Sequence, residues 1–398
     1  MRILHLSSLY PPASVGGAEK VAASLAEAQA AAGHEVFAAS LTRVPELPGA
    51  RNGVVTLPLR SRNPLWIEDS ARYPQAVRLM NKAVTVFNLR TVRAVGAVLD
   101  QVRPDVIHTH SLVELPPGLW GAAASRGVAI VHTLHDYDLL CVRGALFKDG
   151  RRCAPRHVAC RLLSAPKQAR HRAIDVVAAV SQPVLDIHVD HGLFADYGAR
   201  RTVVWNPATL AVTGTPRPPR SGPFRFGFLG RVVGEKGVAV LIAACRTLPA
   251  DGWTLEIAGA PGPDAPAFAA AAAGLPIRFV GQVDAAAFLE SIDVLVVPPI
   301  WDEPFGLTVI EAYAAGRRVV GVERGAIGEM VAAVDPGWTV PAGDPAALGA
   351  MMARAMSAGG QPARARVAAL IERLCPTNVA AQYVRLYEQA IDHRKARA

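Results

Sequence analysis

The chain has 398 residues, 51% hydrophobic and 19% charged, which supplies two sizeable cores and excludes a disordered protein. No stretch approaches the roughly 18 apolar residues of a spanning helix. The start, MRILHLSSLYPP, is broken by His5, two serines and a Pro pair, so a soluble, cytosolic-type chain is expected. Lys and Arg exceed Asp and Glu by 42 to 33, and residues 1–200 hold 23 of these basic side chains against 16 acidic ones, so an anionic partner is expected for the first half. Five cysteines without an export signal predict reduced thiols.

Residues 2–6 form a short apolar run, followed by a loop with Pro11, Pro12, Gly16 and Gly17. Helical spacing then runs from Ala18 to Ala32, with Val21, Leu25 and Ala28 on one face and Gly33 as the stop. A strand is predicted at 35–39, helical matter from 68 to 101, a strand at 105–109, a helix near 115–125, and strands at 128–133 and 176–181. Residues 213–223, TGTPRPPRSGP, have four Pro and two Gly and read as a linker. Beyond it the alternation restarts. Strands are predicted at 224–230, 254–259, 277–281, 293–298 and 319–322, with helices at 237–247 and 305–315. A closing helix at 380–391 carries Val384, Leu386, Tyr387 and Ile391. Strands alternating with helices predict an α/β protein of two Rossmann-like parallel-sheet domains. The first spans 1–212 and takes back 376–398; the second spans 224–375.

The most informative stretch is DEPFGLTVIEA, residues 302–312, directly after the strand at 293–298. It places Glu303 and Glu311 eight positions apart across a helix start, at the carboxyl end of a parallel strand, where open α/β sheets bind ligands. The amides of Phe305, Gly306 and Leu307 and the helix dipole favour an anion, with phosphate the usual occupant. Glu311 shares a helix face with Leu307 and cannot itself bind phosphate, so its chemistry fits a hydroxyl pair such as a ribose. The loop GRVVGEKG, residues 230–237, sets Arg231 and Lys236 five apart before another helix, a pair able to neutralise a diphosphate leaving group. Gly16 and Gly17 offer a third set of amides, although the loop is not GxGxxG and has no acidic partner for an adenosine ribose.

Several other groups stand out. Asp136-Tyr137-Asp138 spells a DxD pair that reads as an ordinary loop after a strand. His108-x-His110 puts two rings on one strand face, and with no third ligand at a clear spacing they read as pocket or structural histidines. Cys141, Cys153 and Cys160, beside His135 and His157, match no standard zinc spacing. Between Arg143 and Arg172 nine basic residues face one acid, Asp149. Residues 60–103 alternate basic residues with Trp66, Leu79, Val86 and Phe87, the pattern of an interfacial amphipathic segment.

Together, SVGGAEK, GRVVGEKG and EPFGLTVIEA, with PDVIHTH, VHTLHDY, AVSQ and FVGQVD between and around them, resemble the retaining glycosyltransferases of family 4. That resemblance implies a GT-B fold, two Rossmann-like domains facing across a cleft with the C-terminal helix returning to the first. It implies a nucleotide-sugar donor, no metal cofactor, and a glycan or lipid-linked acceptor of cell-envelope or exopolysaccharide synthesis held by the first domain; the basic and amphipathic segments of that domain add the expectation of an anionic membrane surface. By position, Arg231 and Lys236 would bind the diphosphate, Glu311 the ribose and Glu303 the sugar hydroxyls. The amides of Phe305, Gly306 and Leu307 would surround sugar and phosphate, Gly16 and Gly17 would cover the diphosphate, and Gln282 and Val283 would meet the base. His132 falls where the family has a histidine near the sugar. Two rivals stay open: an epimerase-like enzyme of the same fold, and a non-catalytic nucleotide-sugar binder. A nicotinamide enzyme lacks its GxGxxG turn, and a nucleic-acid binder lacks interleaved aromatics on a basic sheet.

Overall fold

The computed structural model describes residues 1–13, 16–209, 222–358 and 361–397. Most of the Pro-rich stretch at 213–223 lies outside the described residues. The chain forms two compact units, one of residues 1–146, 153–208 and 374–398, the other of residues 147–152 and 209–373.

The first unit holds strands β1 (Arg2–Ser7), β2 (Glu35–Thr42), β3 (Gly49–Arg51), β4 (Val54–Arg60), β5 (Val106–His110) and β6 (Ala129–Leu134). The small hairpin β7 (Phe147–Lys148) and β8 (Arg151–Arg152) is counted with the second unit, and the first continues with β9 (Val176–Ala179) and β10 (Arg201–Val203). Its sheet runs β10-β9-β6-β5-β1-β2-β4-β3, parallel except for the edge pair β3–β4. The order reverses between β1 and β5, which makes their carboxyl ends the switch point where such sheets take ligands.

The strands at 49–60 are absent from the sequence reading. A signal for them exists: Asn52 and Gly53 both adopt left-handed φ (47° and 81°), the Asn-Gly turn that joins β3 to β4. The helical matter at 68–101 is also divided, into helices Gln75–Val86 and Leu89–Val102. Asn88 makes the break, its side-chain oxygen accepting from the Thr91 amide at 3.2 Å.

The final helix, Pro376–Arg397, packs on this first sheet as expected. Val379, Tyr383, Tyr387 and Ala390 share a buried cluster with Ile3, Leu25, Val106 and Val131. Its far end is fixed by Asp175, fully buried, which accepts from Arg394 Nη2 at 2.7 Å, His393 Nδ1 at 2.9 Å and the Ile130 amide at 2.8 Å. A buried carboxylate is tolerable only with such complete pairing.

The second unit holds β11 (Phe224–Leu229), β12 (Trp253–Ala258), β13 (Ile277–Gly281), β14 (Val294–Val297), β15 (Arg318–Val322) and β16 (Thr339–Val340). They form an all-parallel sheet in the order β13-β12-β11-β14-β15-β16. The reversal here falls between β11 and β14, and the two glycine-bearing loops singled out above are the ones that leave these strands.

Candidate active site

In the second unit the two loops are pressed together by missing side chains. Gly237 has φ +76°, and a Cβ there would lie 1.8 Å from the carbonyl oxygen of Pro298. The Ile300 amide donates to the Glu235 carbonyl at 3.0 Å, closing the contact. Lys236 is thereby brought to Glu303, Nζ to Oε2 2.6 Å, and the same oxygen accepts from Trp301 Nε1 at 2.9 Å. The Glu303 carbonyl accepts from the Ala326 amide at 2.8 Å, and a Cβ on Gly325 would lie 2.5 Å from the Glu303 nitrogen. The carboxylate is thus held from both sides, and its side chain retains 14% exposure.

The helix Leu307–Ala314 begins after Gly306, where a Cβ would collide with Ile327 Cδ1 at 2.7 Å. Phe305, Leu307 and Glu311 are each partly exposed around this start. Arg231 is largely open, 64% exposed, with Nη2 3.4 Å from Glu235 Oε1. Gln282 and Val283 follow β13 at the sheet edge and are exposed, just before Asp284 caps the helix Ala285–Ser291 by accepting from the Ala287 amide at 2.8 Å. Thus Arg231, Lys236, Glu303 and the Gly306 helix start share the switch point, whereas Gln282 and Val283 sit at the edge.

In the first unit, Gly16 caps the helix Gly17–Ala31, and its amide donates to Glu19 Oε2 at 3.1 Å, so the side chain of its own helix occupies that amide.

His132 lies inside the first sheet. It is fully buried within β6, Nδ1 2.8 Å from Thr109 Oγ1 and its ring edge-on to Trp120, and burial lowers its pKa to about 4. It faces Trp120, and its Nε2 makes no hydrogen bond to a described residue. Strand alternation explains this: the residue that leaves β6 at its carboxyl end is His135, three positions on and only half-buried. The string VHTLHDY contains both histidines, and only the end of the strand tells them apart.

His135 closes a histidine cluster that the spacing did not reveal. Parallel pairing of β1 with β5 sets His5 opposite His108, and His110 lies two residues on. His5 Nδ1 is 3.0 Å from His110 Nε2, and His110 Nδ1 is 3.0 Å from His135 Nε2. The ligand nitrogens of His5, His108 and His110 lie within 4.8 Å of one another, the third candidate metal ligand that sequence spacing lacked. Each is already bonded, however. His5 Nε2 meets Gln29 Oε1 at 2.8 Å, while His108 meets Tyr387 Oη and Thr133 Oγ1, both at 2.7 Å. Burial lowers the pKa of His5 to about 4 and of His135 to about 3, and holds His108 and His110 well below the ordinary value.

Asp136 and Asp138 act as loop supports. Asp138 accepts from Lys167 Nζ at 3.0 Å and from the Leu112 amide at 2.8 Å, and Asp136 accepts from the Asp138 amide at 2.7 Å. Burial first, and then the Asp138 charge, raise the Asp136 pKa to about 8. Both line a cavity of about 120 Å³ together with Lys82, Cys141, Arg143 and Lys167. All five cysteines are free, and Cys160 Sγ lies 3.8 Å from Cys141 Sγ.

Comparison with known proteins follows this division. The family described as glycosyltransferase family 4 matches residues 15–209, and the one described as glycosyl transferases group 1 matches residues 223–358. A glycogen synthase of Mycobacterium tuberculosis is 30% identical over 354 residues, 83% of this chain and 80% of that protein. An uncharacterized 42.6 kDa protein in the cps region of Klebsiella pneumoniae is 26% identical, covering 83% of this chain and 87% of that one. Among solved structures, sucrose-phosphate synthase from Thermosynechococcus elongatus superposes with a TM-score of 0.70 at 22% identity, over 98% of this chain and 99% of that one. Anabaena Alr3699/HepE in complex with UDP gives 0.63 at 16% identity, over 97% and 99%. With both halves of the sequence matched and both Rossmann-like sheets in place, the chain belongs to the family 4 glycosyltransferases of GT-B fold.

Proposed function

We propose that the protein transfers a sugar, with retention, from a nucleoside-diphosphate sugar to a glycan or lipid-linked acceptor of cell-envelope or exopolysaccharide synthesis. The observation that carries this reading is the Lys236–Glu303 pair at 2.6 Å beside the Gly306 helix start. A cation for a diphosphate and a carboxylate for sugar hydroxyls are held together at the switch point of one sheet, and each serves as the other's partner until a donor arrives. UDP bound by the structurally similar Anabaena protein supports a nucleotide donor.

In this reading Lys236 and Arg231 take the diphosphate, Glu303 the sugar hydroxyls and Glu311 the ribose. The amides of 305–307 border sugar and phosphate, Gly17 lies over the diphosphate, and Gln282 and Val283 meet the base. The bond from the sugar C1 to the phosphate oxygen breaks while the bond to the acceptor oxygen forms on the same face. The departing phosphate takes the acceptor proton, so the residues orient partners and stabilise charge. The two cations supply the charge that a metal ion would otherwise bring. His135 replaces His132 as the ring that meets a sugar hydroxyl.

The acceptor side is proposed to rest on an anionic membrane. Met80, Val84, Phe87 and Leu89 are exposed beside Arg78 and Arg90, and Val158 and Leu162 are exposed beside Arg161. Among the described residues no helix is long and apolar enough to cross a membrane. Flotation with anionic vesicles, lost at high salt, is expected; salt-insensitive or absent flotation refutes this part.

The test of the transferase is release of nucleoside diphosphate from UDP-, GDP- and ADP-sugars with EDTA present. Turnover with one donor is expected, or, where the acceptor is obligatory, a thermal shift with one of the bare diphosphates. No turnover and no shift with any of them refutes the reading.

A further inference from the structure

The buried histidines form one continuous chain whose direction can be followed atom by atom. Gln29 Nε2 donates to Tyr387 Oη at 3.0 Å, which turns Gln29 Oε1 toward His5. An amide oxygen only accepts, so His5 carries its proton on Nε2, and its bare Nδ1 accepts from His110 Nε2 at 3.0 Å. His110 Nδ1 is then bare and accepts from His135 Nε2 at 3.0 Å. The branch at Tyr387 agrees: its hydroxyl, already accepting from Gln29, donates to His108 Nδ1 at 2.7 Å, and His108 Nε2 donates to Thr133 Oγ1 at 2.7 Å. That hydroxyl in turn lies 2.9 Å from Tyr383 Oη. With the Gln29 amide in this orientation, reversing any single link would set two donors or two bare nitrogens against each other in a buried site, so the amide sets the direction of the whole chain.

We propose that Gln29, His5 and His110 are positioning residues that lock His135 in its Nε2–H form, so that Nδ1 stands at the carboxyl end of β6 as a hydrogen-bond acceptor for a sugar hydroxyl. Nδ1 of His135 makes no hydrogen bond to a described residue. A nitrogen that can only accept takes a hydroxyl and rejects a phosphate oxygen, so the relay selects which part of a substrate lies there. The low pKa values of all four rings keep the chain neutral. Tyr387 anchors the Gln29 amide from the last helix, which makes that helix part of the device. The inference rests on the transferase reading for its substrate, though not for its chemistry.

The experiment is long-range ¹H–¹⁵N spectroscopy of the histidine rings of the full chain, with His135→Gln to assign the signal and no substrate present. A single Nε2–H tautomer for His135 is expected at pH 7. In Gln29→Met and His110→Leu it should become a mixture, and kcat should fall about tenfold with donor KM within about threefold, the size of one oriented hydrogen bond lost. Tyr387→Phe is the milder variant should either misfold, and it too should blur the tautomer. A wild-type His135 found as Nδ1–H or mixed overturns the relay whatever the enzyme turns over, as does a tautomer unmoved in folded variants. A stoichiometric metal in the purified protein also overturns it, because the metal would consume the same nitrogens. A locked tautomer in a protein that turns over no donor leaves the relay standing and removes the transferase reading instead.

Discussion

Gly237→Ala tests whether the close approach of the two loops places Lys236 on Glu303. The new Cβ would lie 1.8 Å from the Pro298 carbonyl oxygen, where real contacts stay above 3.0 Å, so the loops must part by at least 1.2 Å. The left-handed φ of +76° adds about 1–2 kcal/mol of backbone cost for a residue with a Cβ. Gly274→Ala supplies the control: its φ is +79°, and nothing lies within 4 Å of its Cβ, so it carries the same backbone cost without the displacement. Gly274→Ala should lower the melting temperature by roughly 2–8 °C, taking about 2–4 °C per kcal/mol for a domain of this size, and Gly237→Ala by at least as much. Only Gly237→Ala should lose turnover, by about 10²-fold, since a shift of about 1 Å in a catalytic group has that scale of effect. Paired melts and donor-release rates read both quantities. Equal turnover in the two variants would refute the idea that loop contact sets the Lys236–Glu303 geometry.

Glu303→Ala should lower kcat/KM for donor by 10²-fold or more, as one lost preorganised contact in an excluded site typically does, whereas Glu311→Ala should chiefly raise donor KM, about tenfold; a rate unchanged in either removes that residue from the site. Asp175→Ala leaves Arg394 buried without its partner and should cost about 3–5 kcal/mol in urea unfolding; a loss below about 1 kcal/mol means that the last helix is held by its apolar face alone. The pH response follows from His5, His108, His110, His132, His135 and His188, all held below the ordinary histidine range chiefly by burial. Below about pH 6.5 the unfolded chain binds protons that the native rings refuse, so stability is present above that pH and is lost as the pH falls toward 4. Asp136, raised to about 8, works with the opposite sign and offsets one of the six. Thermal midpoints should therefore fall steadily from pH 6.5 to 4.5, and a flat profile there contradicts the assigned burial.

The central strands of both Rossmann-like sheets, the closing helix and the two loops at the second switch point were legible in the sequence, because each rests on local signals. An apolar run, a 3.6-residue period and a glycine before a helix mark strand, helix and tight turn without reference to distant residues. The pairing of Lys236 with Glu303 was not legible, since their 67-residue separation is bridged only when β11 and β14 lie side by side. The same limit explains the histidines. From sequence, His132 and His135 differ by three positions in one string, and His5, His108 and His110 have no motif spacing. Strand register decides both matters: alternation turns His132 toward Trp120, and parallel pairing of β1 with β5 sets His5 beside His108. Local chemistry along the chain determined which elements form and where anions and hydroxyls would be met. Only packing between elements far apart in the chain decided which nitrogen faces the solvent and which is spent inside, because hydrogen-bond direction propagates through space and leaves no period in the sequence.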